Sequence, residues 1–144
     1  METSPGGQAA PVILIVEDDL GTRVLYREIL MAEGFRTIEA HNGFQALEKA
    51  REAKPDAILT DLGVPGMDGF EFCRELQRSA ATQSIPVLAV TGHSSYLDDP
   101  ARLRAAGITH VLLKPTASDL IVPELRRLLE KTLVRNVTSG RGTS

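Results

Sequence analysis

Short runs of consecutive apolar residues alternate along the chain with longer stretches in which apolar residues recur every three or four positions. The short runs suit strands buried on both faces, and the longer stretches suit amphipathic helices. Val12 to Val16 predicts a first strand, followed by a helix with Leu20, Val24, Leu25, Ile29 and Leu30 on one stripe. Arg36 to Ala40 and a helix carrying Phe44, Leu47 and Ala50 form the next pair. Ala57 to Thr60 is the third strand, and the helix after it has a legible start: Asp68 at the N-cap, Glu71 three residues on, and Met67 and Phe72 placed as a hydrophobic staple. Pro86 to Val90 is the fourth strand. A short helix then begins with Asp99 as cap and Pro100 in its first turn and closes at Gly107, with Ser95 and Asp98 offering an earlier cap. Val111 to Leu113 is the fifth strand, and the last helix carries Leu125, Leu128, Leu129 and Leu133. Pro123 lies close to its first turn and predicts a late start or a bend.

Five strand–helix units with near-continuous apolar strands imply an α/β fold, a (βα)5 doubly wound parallel sheet with helices on both faces. One domain over residues 11–134 accommodates all five units, and the Gly-, Pro-, Ser- and Thr-rich ends, 1–10 and 135–144, are expected as disordered flanks. Composition narrows the class. The single cysteine, Cys73, excludes an intramolecular disulfide framework and is expected as a small buried hydrophobe. No secretory leader or membrane-length apolar run is present, so a cytoplasmic location without membrane insertion is expected. A net charge of -3 with scattered Lys and Arg carries no footprint for nucleic acid.

Open α/β sheets place ligands at the carboxyl ends of their strands. Here those ends carry Glu17, Asp18 and Asp19 after strand one, Asp61 after strand three, Thr91 after strand four, and Lys114 with Pro115 after strand five. Under the flavodoxin-like strand order 2-1-3-4-5, which is borrowed from that fold and not read from the residues, strands one and three are neighbours and Glu17, Asp18 and Asp61 converge.

Converging carboxylates repel one another and raise at least one pKa unless a cation intervenes. Oxygen ligands without His or Cys suit Mg²⁺. Lys114 offers a point charge for a phosphoryl group and Thr91 a hydroxyl, a set that fits phosphoryl transfer to a carboxylate nucleophile. Each residue also has an ordinary structural reading. Asp61 serves as a turn former, Asp19 as a helix cap, Thr91 as a β-branched strand residue and Lys114 as a solvated strand end. Only their joint placement at successive strand ends sets them apart.

The segments VILIVEDD, DLGVPGMDG, AVTG and GITHVLLKP, in that order and spacing, resemble the signatures of bacterial two-component response regulator receiver domains from about Val12 to Leu133. The resemblance implies that Asp61 accepts a phosphoryl group from a histidine kinase or phosphotransfer protein. It implies that Glu17 and Asp18, with Asp61 and the backbone carbonyl of Gly63, surround Mg²⁺. Thr91 is then the switch hydroxyl, Lys114 the amine of the site, and a cis peptide is expected at Pro115. A stand-alone switch of this kind, monomer or weak dimer, acts by docking a downstream target protein or by relaying phosphate, and catalyses only its own phosphorylation and dephosphorylation.

The chain departs from the family's pattern at Val111, where an aromatic residue is usual, which leaves output to loop and helix shifts near Thr91. By the same resemblance, Gly63 and His93 fall at the family's positions that tune the lifetime of the acyl phosphate. Two other classes remain beside this one. An aspartate-nucleophile phosphohydrolase would carry a second Asp where Gly63 stands, and would need a cap insertion. A pseudo-receiver would keep the fold as an interaction module without phosphorylation, and Val111 is the one feature leaning that way.

Overall fold

In a computed structural model, residues 9–64, 66–108, 110–114 and 117–142 are described. The strands are β1 (Val12–Val16), β2 (Arg36–Ala40), β3 (Ala57–Asp61), β4 (Val87–Thr91) and β5 (His110–Leu113). The helices are α1 (Leu20–Ala32), α2 (Gly43–Ala53), α3 (Gly69–Gln77), α4 (Pro100–Ala105) and α5 (Ala117–Gly142), with a short 3₁₀ turn over Ser94–Asp98. All strand pairs are parallel and their order is β2-β1-β3-β4-β5, the order borrowed above.

Side chains alternate across a strand, so each apolar run is divided between two helical layers. Ile13 and Ile15 of β1 join Leu59, Leu88, Val90, Tyr26 and Leu30 of α1, and Ile121, Leu125 and Leu128 of α5. Leu14 and Val16 face the other way, among Ala46, Leu47 and Ala50 of α2, Phe70, Phe72, Cys73 and Leu76 of α3, and Leu103 of α4. A sheet covered on both faces explains why the inner strands β1, β3 and β4 are mostly apolar, while the edge strand β2 carries Arg36, Thr37 and Glu39.

Caps set where the helices begin. Asp68 Oδ1 accepts from the Glu71 amide at 2.9 Å and Asp99 Oδ1 from the Arg102 amide at 3.0 Å, as the sequence predicts. Such a cap contributes about 1 kcal/mol relative to alanine. Gly107, with φ +76°, follows α4 in the left-handed region that ends helices.

Three expectations change. Leu20 and Leu25 of the α1 stripe are 64% and 49% exposed, and Tyr26 is buried in their place. The stripe fixes spacing and leaves the phase of the helix open, and the layer shared with α5 turns Tyr26 and Leu30 inward. Phe44 is 63% exposed, its ring beside Gly66 of the β3–α3 loop and not in the core. The last helix does not start late: α5 begins six residues ahead of Pro123, includes it, and continues to Gly142. Extending a formed helix costs far less than nucleating one. Pro115, where a cis peptide is expected, lies outside the described residues.

Candidate functional site

The strand ends meet as the register requires. Glu17, Asp61 and Lys114 each lie two residues beyond a member of the α1/α5 layer, namely Ile15, Leu59 and Leu112. A period of two therefore sends them off the same face of the sheet. Lys114 Nζ donates to Asp61 Oδ2 at 2.8 Å and to Glu17 Oε1 at 3.0 Å. One carboxylate oxygen from each of Glu17, Asp18 and Asp61 lies within 4.8 Å of the others, with Glu17 buried, Asp61 half-buried and Asp18 exposed.

Each acid is held differently. Glu17 is 1% exposed, and its Oε2 accepts from the Asp19 amide at 3.1 Å. Burial, the largest influence, raises its carboxyl above the ordinary value, and the Asp61 charge adds to this against the lowering pull of the Asp19 amide and Lys114. Asp61 Oδ1 accepts from the Gly63 amide at 2.8 Å, a local bond that folds the loop back on the carboxylate. Burial draws the Lys114 ammonium down, but its hydrogen bonds to Asp61 and Glu17 outweigh this and hold it well above its usual range. The ammonium is therefore a permanent positive charge at neutral pH.

Asp19 belongs to the helix. Its Oδ2 accepts from both the amide and the hydroxyl of Thr22, at 2.8 and 2.7 Å, and these bonds hold its carboxyl below the ordinary value. Thr91 is buried at the end of β4, where its Oγ1 accepts from the His93 amide at 3.1 Å and its carbonyl from the Lys114 amide at 2.9 Å. That last bond joins the ends of β4 and β5. Cys73, far into the α3 layer, has its thiol pushed up to about 12 by burial and is inert at neutral pH.

The donor set passes a simple test for a hard divalent cation. Three carboxylates and one ammonium leave an excess of two negative charges in a partly desolvated crevice. Opposite ligands of a Mg²⁺ octahedron stand about 4.2 Å apart. Oxygens spread over no more than 4.8 Å thus need only a small inward adjustment to share one ion.

Residues 13–126 match the family model described as response regulator receiver domain. This chain belongs to the response regulator receiver family. The receiver is 33% identical over 117 residues to the polar-differentiation response regulator DivK of Brucella anthropi, covering 81% of this chain and 94% of that protein. It is 35% identical over 120 residues to the response regulator MprA of Mycobacterium ulcerans, covering 83% of this chain but only 50% of that longer protein. Among solved structures, the chemotaxis response regulator CheY4 of Vibrio cholerae superposes with a TM-score of 0.76 at 28% identity, covering 83% of this chain and 98% of that one. The receiver domain of the sensor histidine kinase PA1611 of Pseudomonas aeruginosa PAO1, described with a magnesium ion coordinated in its active-site cleft, gives a TM-score of 0.76 at 28% identity over 85% of this chain and 99% of that one. Receivers of this family are components of two-component signalling, and no helix among the described residues of this one is long and apolar enough to cross a membrane.

Sequence reasoning missed two residues at the receiver's crevice. Arg23 Nη1 donates to the backbone carbonyl of Glu17 at 2.8 Å, and its Nε pairs with Glu39 Oε1 at 3.1 Å. The signal was faint: two arginines four apart in α1, Arg23 and Arg27, and one acid in the second strand.

Proposed function

We propose that this receiver is a phosphorylatable signalling switch in which Asp61 accepts a phosphoryl group with Mg²⁺ bound among Glu17, Asp18, Asp61 and the Gly63 carbonyl. The observation that carries this reading is the meeting of three carboxylates within 4.8 Å, with Lys114 Nζ 2.8 Å from Asp61. The cluster occupies the strand-end position at which open α/β sheets bind ligands. The magnesium described in the similar PA1611 receiver supports the same choice of ion.

A bound Mg²⁺ would supply positive charge against the oxygens of the incoming phosphoryl group. An Asp61 carboxylate oxygen attacks phosphorus and forms a new O–P bond, while the bond from phosphorus to the donor breaks and the donor keeps its electron pair. Lys114, already on Asp61 Oδ2, follows the developing phosphoryl charge, and the Thr91 hydroxyl donates to one of its oxygens. Hydrolysis reverses the gain: water attacks phosphorus, the O–P bond to Asp61 breaks, and inorganic phosphate leaves. Gly63, whose amide holds Asp61 Oδ1, and His93, whose amide holds Thr91 Oγ1, match the positions that tune this hydrolysis in receivers and influence the lifetime of the phosphate here. Donors of the group are a histidine kinase or phosphotransfer protein, and the output is altered contact with a downstream protein.

Incubation with Mg²⁺ and acetyl phosphate, followed by intact mass measurement, tests the reading. A phosphate-sized gain in the wild type, absent from Asp61→Asn and from samples with chelator, is the expected result. A wild type without the gain would leave a receiver fold that acts as an interaction module only.

A further inference from the structure

The last paired residue of β1 is Val16, so the position of the Glu17 carboxylate depends on what holds the first residue after the ladder. Its amide donates to Ala40 O on β2 at 3.0 Å. Its carbonyl accepts from Arg23 Nη1 at 2.8 Å, and Nε of the same guanidinium reaches Glu39 Oε1, also on β2, at 3.1 Å. Glu39 is shared with Arg27 Nη1 at 3.3 Å, and its own carbonyl accepts from Lys49 Nζ. Both backbone polar groups of Glu17 are thus tied to β2, one directly and the other through Arg23.

The Arg23 side chain is only 14% exposed, unlike the surface pairs Arg126–Glu33 and Arg78–Glu75, whose arginines are 52% and 70% exposed. The rigid guanidinium fork presents Nε and Nη1 to two acceptors at once, which the single ammonium of lysine does not reproduce in the same geometry. Arg23 also makes the first i→i−4 bond of α1, its amide donating to Asp19 O at 2.9 Å, so one residue joins the helix's first turn, strand end and neighbouring strand.

We propose that Arg23 is a positioning residue: anchored by Glu39, it fixes the backbone of Glu17 and so presents the Glu17 carboxylate to the shared cation. This rests on the magnesium reading above. Outer-shell groups of this kind typically change metal affinity by about tenfold or more. Arg23→Lys keeps the charge and removes the fork, so its effect separates positioning from general electrostatics.

The test is a double-mutant cycle on the full chain, with Mg²⁺ affinity measured calorimetrically for wild type, Arg23→Lys, Glu17→Gln and the double variant. Arg23→Lys is expected to weaken Mg²⁺ about tenfold in the wild-type background and by less than about twofold once Glu17 is Gln. Glu39→Gln is expected to weaken it in the same direction by a smaller factor. Wild-type affinity in Arg23→Lys, or the same loss in both backgrounds, overturns the proposal. The ¹³C carbonyl resonance of Glu17 in metal-free protein provides a second readout. It is expected to move in Arg23→Lys while the amide resonances around Cys73 stay in place, and an unmoved carbonyl also overturns the proposal. If the wild type itself binds no Mg²⁺, the proposed function fails, and the carbonyl shift alone then decides whether Arg23 positions Glu17.

Discussion

Lys114 Nζ stands 2.8 Å from Asp61 Oδ2, although the two residues are 53 positions apart in sequence and leave the sheet on different strands. The same ammonium reaches Glu17 at 3.0 Å, so a single cation compensates acids from β1 and β3. Removing it leaves partly buried carboxylates facing one another.

Lys114→Met is accordingly expected to lower stability in chelator by about 1–3 kcal/mol at neutral pH, the usual range for a buried polar group stripped of its partner. The same variant is expected to bind Mg²⁺ more tightly than wild type, since the ion then replaces a lost charge. Urea unfolding with and without Mg²⁺ measures both. Unchanged stability together with unchanged affinity would show that the ammonium does not compensate these acids.

Glu17 gives the stability a pH dependence whose sign follows from its burial. Burial first, and then the Asp61 charge, raise its carboxyl above the ordinary value of 4.5, so the folded protein holds that proton more tightly than the unfolded chain. Its contribution is full below the unfolded value and is lost as pH rises through the raised folded one. Asp19 acts oppositely: its lowered carboxyl contributes above 3.8, and the contribution is lost as pH falls through the folded value. Lys114, raised in turn, keeps its contribution over this whole range. Glu17→Gln in chelator should therefore gain on wild type as pH climbs from about 4 to about 8. A difference that stays constant over that range refutes the assignment.

Gly43 carries the contact between α2 and the loop that follows Asp61. A Cβ added there would stand 2.0 Å from Met67 O and 2.8 Å from Met67 Cβ, so Gly43→Ala must push the β3–α3 loop aside. Overpacking of this kind costs about 1–3 kcal/mol. Gly63→Ala is the control, because its added Cβ meets Asp61 Oδ1 at an ordinary 3.6 Å. Thermal unfolding of the two variants is expected to separate them clearly. Equal melting points would show that the loop yields freely at Met67.

Val111 is half-buried in β5 and packs on the α2/α3/α4 layer, with no ring to rotate on activation. Amide shifts on adding beryllofluoride and Mg²⁺ are expected to spread from the crevice into the β4–α4 loop around Thr91 and His93. Shifts confined to Glu17, Asp18, Asp61 and Lys114 would show that no such switch exists.

Much of this was legible in the residues because its physics is local. Asp68 and Asp99 were readable as caps, since a cap needs only a short polar side chain a few residues ahead of amides it can reach. The apolar runs were readable as strands because burial on both faces leaves no polar alternation. The orientation of α1 was not, and Leu20, Leu25 and Tyr26 show why: a helical stripe records spacing, and a rotation of one residue exchanges its members without changing the pattern. Phe44 was misplaced for a related reason, since α2 turns Gly43, Ala46, Leu47 and Ala50 inward and leaves Phe44 outside that face.

The sequence by itself determined the number and order of strand–helix units and the residue types at each strand end: Glu17 and Asp18, Asp61, Thr91 and Lys114. Tertiary structure alone decided that Lys114 bridges Glu17 and Asp61, and that Arg23 braces Glu17 through Glu39. Side-chain direction at a strand end follows from parity and strand order, and strand order is set by how distant segments pack, which no local pattern encodes.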